Sequence, residues 1–371
     1  MGDSPQALGF AVALARAGAM VTMIAEDAFD AQRLRDILTR ANALTGISIT
    51  TDAAQATGAG VLIGSAGLIA DLAAIAAPDA VLIGLDDRTA QPAEAAQGEA
   101  RLVRISAVSP PPDLGLVEIL RGPQTRPEAL ARAQTLLQQL GGHPLPVPFF
   151  IGPRLIARIE DTAEALVFDG STPWEVDDAL TAAGFAQGPC AAQDVRGLDL
   201  AYARHRSEDA EGTRRQPLPV LDRMVPEGRL GRQAGVGWYR YPGGGGRVID
   251  PLVEDLAREE AHFAGHRPRD IPPPEIVTRC ILSLVDEAAM LQARGAPAPL
   301  IDLICTHVTG FPASEGGPLF AAHHLGIDRV LALFDAVSPH PEGSSRPSVA
   351  LRNLGAGRGT DRGADLDRDR G

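Results

Sequence analysis

Residues 102–120 have the sequence Leu-Val-Arg-Ile-Ser-Ala-Val-Ser-Pro-Pro-Pro-Asp-Leu-Gly-Leu-Val-Glu-Ile-Leu, and this stretch sets the middle of the fold. Two apolar runs, 102–106 and 116–120, flank the consecutive prolines. Proline has no amide hydrogen and fixes φ, so this part of the chain cannot be helical. We therefore predict two short strands joined by a rigid bend.

Glu118 is the notable residue of the second run, because a carboxylate is costly to bury without a partner. It could lie at a sheet edge or pair with a nearby arginine, Arg104 or Arg121. Alternatively, it could orient a catalytic base. The residues alone leave these interpretations open.

Residues 1–148 alternate short apolar runs with helical segments. The runs at 21–25, 61–64, 81–85 and 102–105 suit buried strands, and the segments 29–42 and 127–140 have a helical pattern. Alternation of this kind predicts a doubly wound, mainly parallel α/β sheet.

The composition excludes several functional classes. The chain has 371 residues, a net charge of −13 and no lysine, so arginine supplies every basic side chain apart from histidine. This charge argues against nucleic acid or an anionic membrane as a partner. Cys190, Cys280 and Cys305 lack metal-ligand spacing, so we expect no metal site and a reduced cytoplasmic setting. No apolar run approaches membrane-spanning length, and we expect no signal peptide.

The second half contains an internal repeat. Asp161, Val176-Asp177, Gly184-Phe185, Gly188-Pro189 and Gly197-Leu198-Asp199 recur as Asp286, Ile301-Asp302, Gly310-Phe311, Gly317-Pro318 and Gly326-Ile327-Asp328. We predict one helical module over 149–243 and a second over 273–337, joined by a linker at 244–272. Residues 338–371 contain few apolar side chains, so we expect a disordered tail.

Two motifs carry a family resemblance. Leu116-Val117-Glu118, with the Ile-Leu-Arg-Gly-Pro-Gln-Thr that follows, and Gly-Arg-Leu-Gly-Arg-Gln-Ala-Gly-Val-Gly-Trp-Tyr at 228–239 resemble the 3-hydroxyacyl-CoA dehydrogenase family. That family carries out the NAD-linked step of fatty-acid β-oxidation. The resemblance extends from about Gly2 to Val337. It implies a Rossmann-like domain followed by two tandem helical C-terminal modules.

The resemblance also shows which catalytic positions have changed. The family's catalytic histidine falls at Ser106, twelve residues before Glu118, and the asparagine that follows it falls at Ser109. A second active-site asparagine falls at Pro153. Glu118 is therefore kept as the orienting carboxylate, whereas the base it would serve is replaced by a hydroxyl, which is a much weaker proton acceptor.

The cofactor motif is also altered. Gly2, Ser4 and Ala7 occupy the three positions of the G-x-G-x-x-G loop, and Glu26 is the candidate for the ribose hydroxyls. Serine at the second position hinders the approach of the backbone to the pyrophosphate. Because only Met1 precedes Gly2, the first strand of the sheet is expected to be missing.

Three hypotheses follow from these observations. The chain is an NAD-dependent 3-hydroxyacyl-CoA dehydrogenase homologue with poor turnover; or a non-catalytic relative that binds acyl-CoA or docks onto other β-oxidation enzymes; or the product of a truncated reading frame. The resemblance implies an acyl-CoA ligand, NAD as cofactor and a possible homodimer.

Overall fold

The structure is a computed structural model that describes residues 5–85, 99–109, 111, 113–215, 218–337 and 346–356. The chain divides into two compact units, Met1–Phe150 and Ile151–Gly371.

The first unit alternates helices and strands as the sequence predicts. Its elements in chain order are α1 (Pro5–Arg16), β1 (Val21–Ile24), α2 (Ala28–Arg40), β2 (Ile47–Thr50), β3 (Val61–Ser65), α3 (Ala66–Leu72), β4 (Val81–Leu85), β5 (Leu102–Ala107), β6 (Gly115–Arg121), α4 (Pro127–Gln139) and β7 (Gly142–Pro146). Strands β2 and β7 were not predicted from the sequence.

The strands of this unit form two separate sheets. Strands β1 and β2 pair in parallel, and the second sheet has the order β3-β4-β5-β6-β7. Within it β5 and β6 are antiparallel, while the other neighbours are parallel. The predicted pair of strands around the prolines is therefore confirmed, as is the mainly parallel α/β class.

The two sheets separate at the position of the expected first strand. Among the described residues no strand precedes α1, and β1 is not hydrogen-bonded to β3. Helix α1 spans the division: Phe10 packs into the core of the five-stranded sheet, and Ala11 packs with Met23 and Leu34 beside the two-stranded sheet. Apolar side chains of one helix thus stabilise both sheets.

The second unit is mainly helical. Its elements are α5 (Gly152–Asp169), α6 (Pro173–Ala182), α7 (Pro189–Arg196), α8 (Leu198–Glu211), α9 (Pro219–Met224), β8 (Tyr239–Arg240), β9 (Val248–Ile249), α10 (Pro251–Phe263), α11 (Pro273–Ala293), α12 (Ala298–Thr309), α13 (Pro318–Leu325), α14 (Ile327–Val337) and α15 (Val349–Ala356).

The two helical modules repeat the same capping arrangement. The Asp177 carboxylate accepts hydrogen bonds from the first amides of α7, Cys190 N at 2.9 Å and Ala191 N at 3.0 Å. Asp302 accepts from Leu319 N at 2.8 Å and Phe320 N at 3.1 Å, at the start of α13. Residues that the repeat predicts to be equivalent therefore make equivalent contacts, because each aspartate satisfies helix N-terminal donors that have no partner inside the helix.

Two segments outside the modules have more structure than expected. The segment 244–272 contains β9 and α10. The expectation of disorder over 338–371 is wrong for α15: Leu351 is fully buried, and Ser348 N donates to Asp286 Oδ1 at 2.7 Å. Leu351 and this partly buried hydrogen bond help to hold the short helix, which packs against α11 and α14. Residues 338–345 and 357–371 lie outside the described residues.

None of the helices within the described residues is long and apolar enough to cross a membrane.

Candidate active site

The structure places Ser106 directly beside Glu118. The two residues are register partners on the antiparallel strands β5 and β6, and both are buried, with 6% and 2% of their surface exposed. Side chains of such partners lie on one face of the sheet, with Cβ atoms about 5 Å apart. The register partner of Glu118 on its other side is Leu145 of β7. The residues on either side of the carboxylate are thus a hydroxyl and an aliphatic side chain.

Of the two candidate arginines, Arg104 shares the sheet face of Glu118. Arg104 is in register with Leu120, which lies two residues from Glu118 and therefore on the same face. Its guanidinium carbon lies 5.2 Å from the centroid of the Phe150 ring. Arg121 is in register with Val103 and lies on the opposite face. Glu118 is therefore on a buried sheet face that also has a basic side chain, rather than at a sheet edge.

His143 is the histidine of the first unit, and it does not occupy the position of a base. It lies on the edge strand β7 in register with Leu116, and its side chain is exposed. Leu145, two residues further along, is the residue opposite Glu118. The imidazole is thus displaced along the strand from the pair of Glu118 and Ser106.

His205, in the second unit, is buried and pairs with the carboxylates of Asp161 and Asp222. Burial lowers its pKa, but hydrogen bonds to Asp161 and Asp222 outweigh this effect and raise the pKa to about 9. Its Nε2 atom lies 3.3 Å from Asp161, and Nδ1 lies 3.4 Å from Asp222. An imidazole that is protonated at neutral pH cannot accept a substrate proton, so His205 has a structural role.

Pro153 lies in the first turn of α5, where it contributes no polar side chain. The following residue, Arg154, is tied to the second module, because its Nη2 atom lies 2.6 Å from Glu287 Oε1 on α11. Pro153 therefore offers no hydrogen-bonding side chain at the position where the family resemblance places an asparagine, and its neighbour Arg154 joins two helices.

The residues predicted to bind the cofactor are only partly described. Gly2 and Ser4 lie outside the described residues. Ala7 packs against the core of the five-stranded sheet, and Gln6 Nε2 donates to Ala107 O at 2.8 Å. The N-terminus of α1 therefore lies at the carboxyl end of β5, which is the edge where nucleotides bind to sheets of this class.

Glu26 is exposed directly after β1, and so its carboxylate is available at the carboxyl edge of the two-stranded sheet. The neighbouring Asp27 has a different role, because its Oδ1 atom accepts from Asp30 N at 2.8 Å and caps α2. Within the described residues no group of three or more His, Cys, Asp or Glu side chains could hold a metal ion.

An α/β unit with a mainly parallel sheet, followed by two copies of a helical module, defines a dehydrogenase-like architecture. Residues 150–241 match the family model of the 3-hydroxyacyl-CoA dehydrogenase C-terminal domain. The chain is therefore a relative of the 3-hydroxyacyl-CoA dehydrogenases, and its residues 150–241 belong to the family of their C-terminal domains.

Known proteins agree with this assignment. The peroxisomal bifunctional enzyme of Danio rerio is 33% identical over 274 residues, which are 66% of this chain and 37% of the relative. The fatty acid oxidation complex subunit alpha of Acinetobacter baumannii is 28% identical over 71% of this chain and 38% of its own length. The chain thus spans less than two fifths of the length of these curated relatives.

Solved structures show the same fold. The 3-hydroxybutyryl-CoA dehydrogenase of Escherichia coli K12 superposes with a TM-score of 0.69 at 20% identity, covering 95% of this chain and 96% of the other. The dehydrogenase part of multifunctional enzyme 1 from C. elegans has a TM-score of 0.63 at 20% identity and covers 94% of this chain and 87% of its own.

Proposed function

We propose that the chain acts in fatty-acid β-oxidation in the cytoplasm as a 3-hydroxyacyl-CoA dehydrogenase homologue whose hydride transfer is weak or absent. The observation that carries the proposal is the buried pair of Ser106 and Glu118. The substrate class is acyl-CoA and the cofactor class is NAD, as the relationship to the dehydrogenases implies.

The chemistry of the reaction explains why the serine matters. Oxidation of a 3-hydroxyl to a ketone removes a hydride from carbon and a proton from oxygen, and bound NAD would supply the hydride acceptor. The proton needs an acceptor whose pKa is near the working pH, and such a group contributes about 10²–10⁴-fold in rate. A serine hydroxyl is a poor acceptor, so the side chain in register with Glu118 on β5 is not an efficient base.

The cofactor motif departs in sequence from the usual dinucleotide-binding loop. Its second glycine position holds Ser4, and a side chain at that position is expected to hinder the approach of the backbone to the pyrophosphate. Glu26 is suitably exposed for a ribose contact. The serine at the second glycine position supports weak NAD binding.

A second candidate function is a non-catalytic one, in which the helical half binds acyl-CoA or docks onto another β-oxidation enzyme, as a monomer or a homodimer. This function is favoured because the helical half keeps the family's structural residues, whereas the first half has changed at the catalytic positions. In the helical half Asp194 accepts from Trp238 N at 2.8 Å and from Tyr239 N at 2.9 Å, within the Gly-rich motif of the family. The family's structural residues are thus in place there, whereas the catalytic positions of the first half have changed.

The test is NADH oxidation with acetoacetyl-CoA, combined with separate binding titrations of the two ligands. We expect turnover at least about 100-fold below the roughly 10 s⁻¹ of an ordinary enzyme. Binding of acetoacetyl-CoA without binding of NADH would favour the non-catalytic function. Turnover at an ordinary rate would refute both proposals.

A further inference from the structure

The repeat relates two helices that pack against each other in the second unit. Helices α5 and α11 begin equivalent modules, with Asp161 and Asp286 at matching positions. Counting back from each aspartate by the same number of residues, Arg154 of α5 corresponds to Arg279 of α11. Counting forward by one, Thr162 of α5 corresponds to Glu287 of α11.

If the pair of α5 and α11 were symmetric, each helix would contribute one arginine and one carboxylate at these equivalent positions. The two helices differ in the carboxylate. On one side Arg154 of α5 pairs with Glu287 of α11 at 2.6 Å. On the other side Arg279 of α11 faces a cavity together with Thr162 of α5. The symmetry-related position of the carboxylate is therefore occupied by threonine, and Arg279 pairs instead with Asp169 at the end of α5.

A cavity of about 30 Å³ lies at this position. Arg158, Thr162, Arg279 and Ser283 line its polar side, and Leu282 and Phe334 are among its apolar wall. No acidic side chain is among the described residues that line it. The volume is enough for about two or three water-sized groups, which is the size of a carboxylate group.

Arg279 lines this space, and one of its donors has no partner within the described part of the chain. The residue is 8% exposed, and its Nη2 atom donates to Asp169 Oδ2 at 2.7 Å. Its Nη1 atom is buried, and it has no hydrogen-bond partner within the described part of the chain. A buried donor without a partner is destabilising, so an acceptor bound to this guanidinium would be stabilising.

The hydroxyl groups of the cavity do not compete as donors. Thr162 Oγ1 donates to Arg158 O at 2.8 Å, and Ser283 Oγ donates to Cys280 O at 2.8 Å. The hydroxyl protons of Thr162 and Ser283 are thus directed to helix carbonyls. The donors available to a ligand in the cavity are therefore those of the guanidinium groups. The second guanidinium, that of Arg158, is also buried, and burial lowers its pKa, with Arg215 acting in the same direction.

We propose that this cavity binds a small carboxylate, which takes the place of the glutamate that the repeat has on the opposite side. Guanidinium groups match carboxylate oxygens in geometry and form strong charge-assisted hydrogen bonds with them. The apolar wall accommodates a short alkyl group beside the carboxylate.

The test is thermal unfolding of the full chain in increasing sodium acetate, with sodium chloride at equal concentration as the comparison. Trp174 and Trp238 both lie in the second unit, so tryptophan fluorescence reports its unfolding. We expect a saturable rise in Tm of about 3–6 °C at ten times the Kd. Chloride should give a smaller rise.

Thr162→Glu supplies the missing carboxylate from the chain itself. We expect this variant to have a higher Tm than the wild type without acetate and to show no acetate response. Thr306→Glu, the same change on α12, is the control, and acetate should raise its Tm by as much as it raises that of the wild type. Equal effects of acetate and chloride, no saturable rise, or an unchanged response in Thr162→Glu would each overturn the proposal.

Discussion

Replacing Glu164 with glutamine should stabilise the second unit at alkaline pH. Glu164 is 2% exposed, and its Oε1 atom accepts from Leu221 N at 2.8 Å. Burial raises the pKa of its carboxyl from 4.5 to about 8, more than the nearby His205 lowers it. The folded state therefore binds the proton more tightly than the unfolded chain does, and stability is lost as the pH rises from 4.5 to 8.

The size of the effect follows from this pKa difference. Each pH unit in that interval is worth about 1.4 kcal/mol, so ionising the buried carboxyl costs the folded state about 3–5 kcal/mol. Glutamine is uncharged and can still accept the hydrogen bond from Leu221. We expect Glu164→Gln to equal the wild type within about 1 kcal/mol at pH 5 and to exceed it by about 3–5 kcal/mol at pH 8.5.

Urea unfolding followed by tryptophan fluorescence at the two pH values measures this difference. Asp178→Asn, which removes an exposed carboxylate from α6, serves as the control and should change little at either pH. A Glu164→Gln variant that is less stable than the wild type at pH 8.5 would refute the reasoning.

The same unfolding assay tests three further predictions. Gly188→Ala should cost about 3 kcal/mol or more, because its Cβ would lie 2.1 Å from Asp177 Cγ, whereas Gly212→Ala has open space and should cost about 1 kcal/mol; equal losses would contradict this. Asp302→Ala should cost about 2–4 kcal/mol, because it leaves two helix amides without an acceptor, and a loss under 1 kcal/mol would be inconsistent with that role. His205→Gln should be least stable relative to the wild type below pH 6.5. That deficit should shrink by about 3 kcal/mol as the pH rises through 9, since the raised pKa stabilises only the protonated folded state; a pH-independent deficit would exclude the charge network.

Local sequence patterns predicted the strands that have regular apolar runs. The proline segment and its flanking runs indicated β5 and β6, and the structure confirms both. Strand β7 was missed because His-Pro-Leu-Pro argues against a strand, yet prolines are tolerated at the edge position that β7 occupies. Helix α15 was missed because composition indicated disorder, whereas one buried side chain, Leu351, fixes it.

The candidate sites also include one arrangement that the sequence predicted and one that it could not. The position of Ser106 relative to Glu118 followed from their spacing along the family motif, and the strand register now makes them neighbours. The cavity beside Arg279 could not be predicted, because Thr162 and Arg279 are distant in sequence and meet only when α5 packs on α11. Pairing between distant elements is the part of a structure that local patterns do not determine.

The central claim is that a serine occupies the position of the proton acceptor beside Glu118. The most direct measurement compares the rate of NADH oxidation by acetoacetyl-CoA, at saturating NADH, in the wild type, Ser106→His and Ser109→His. The last variant places the same imidazole three residues away. We expect a gain of about 100-fold or more in Ser106→His and none in Ser109→His. An equal rate in all three proteins, or an ordinary dehydrogenase rate in the wild type, would contradict it.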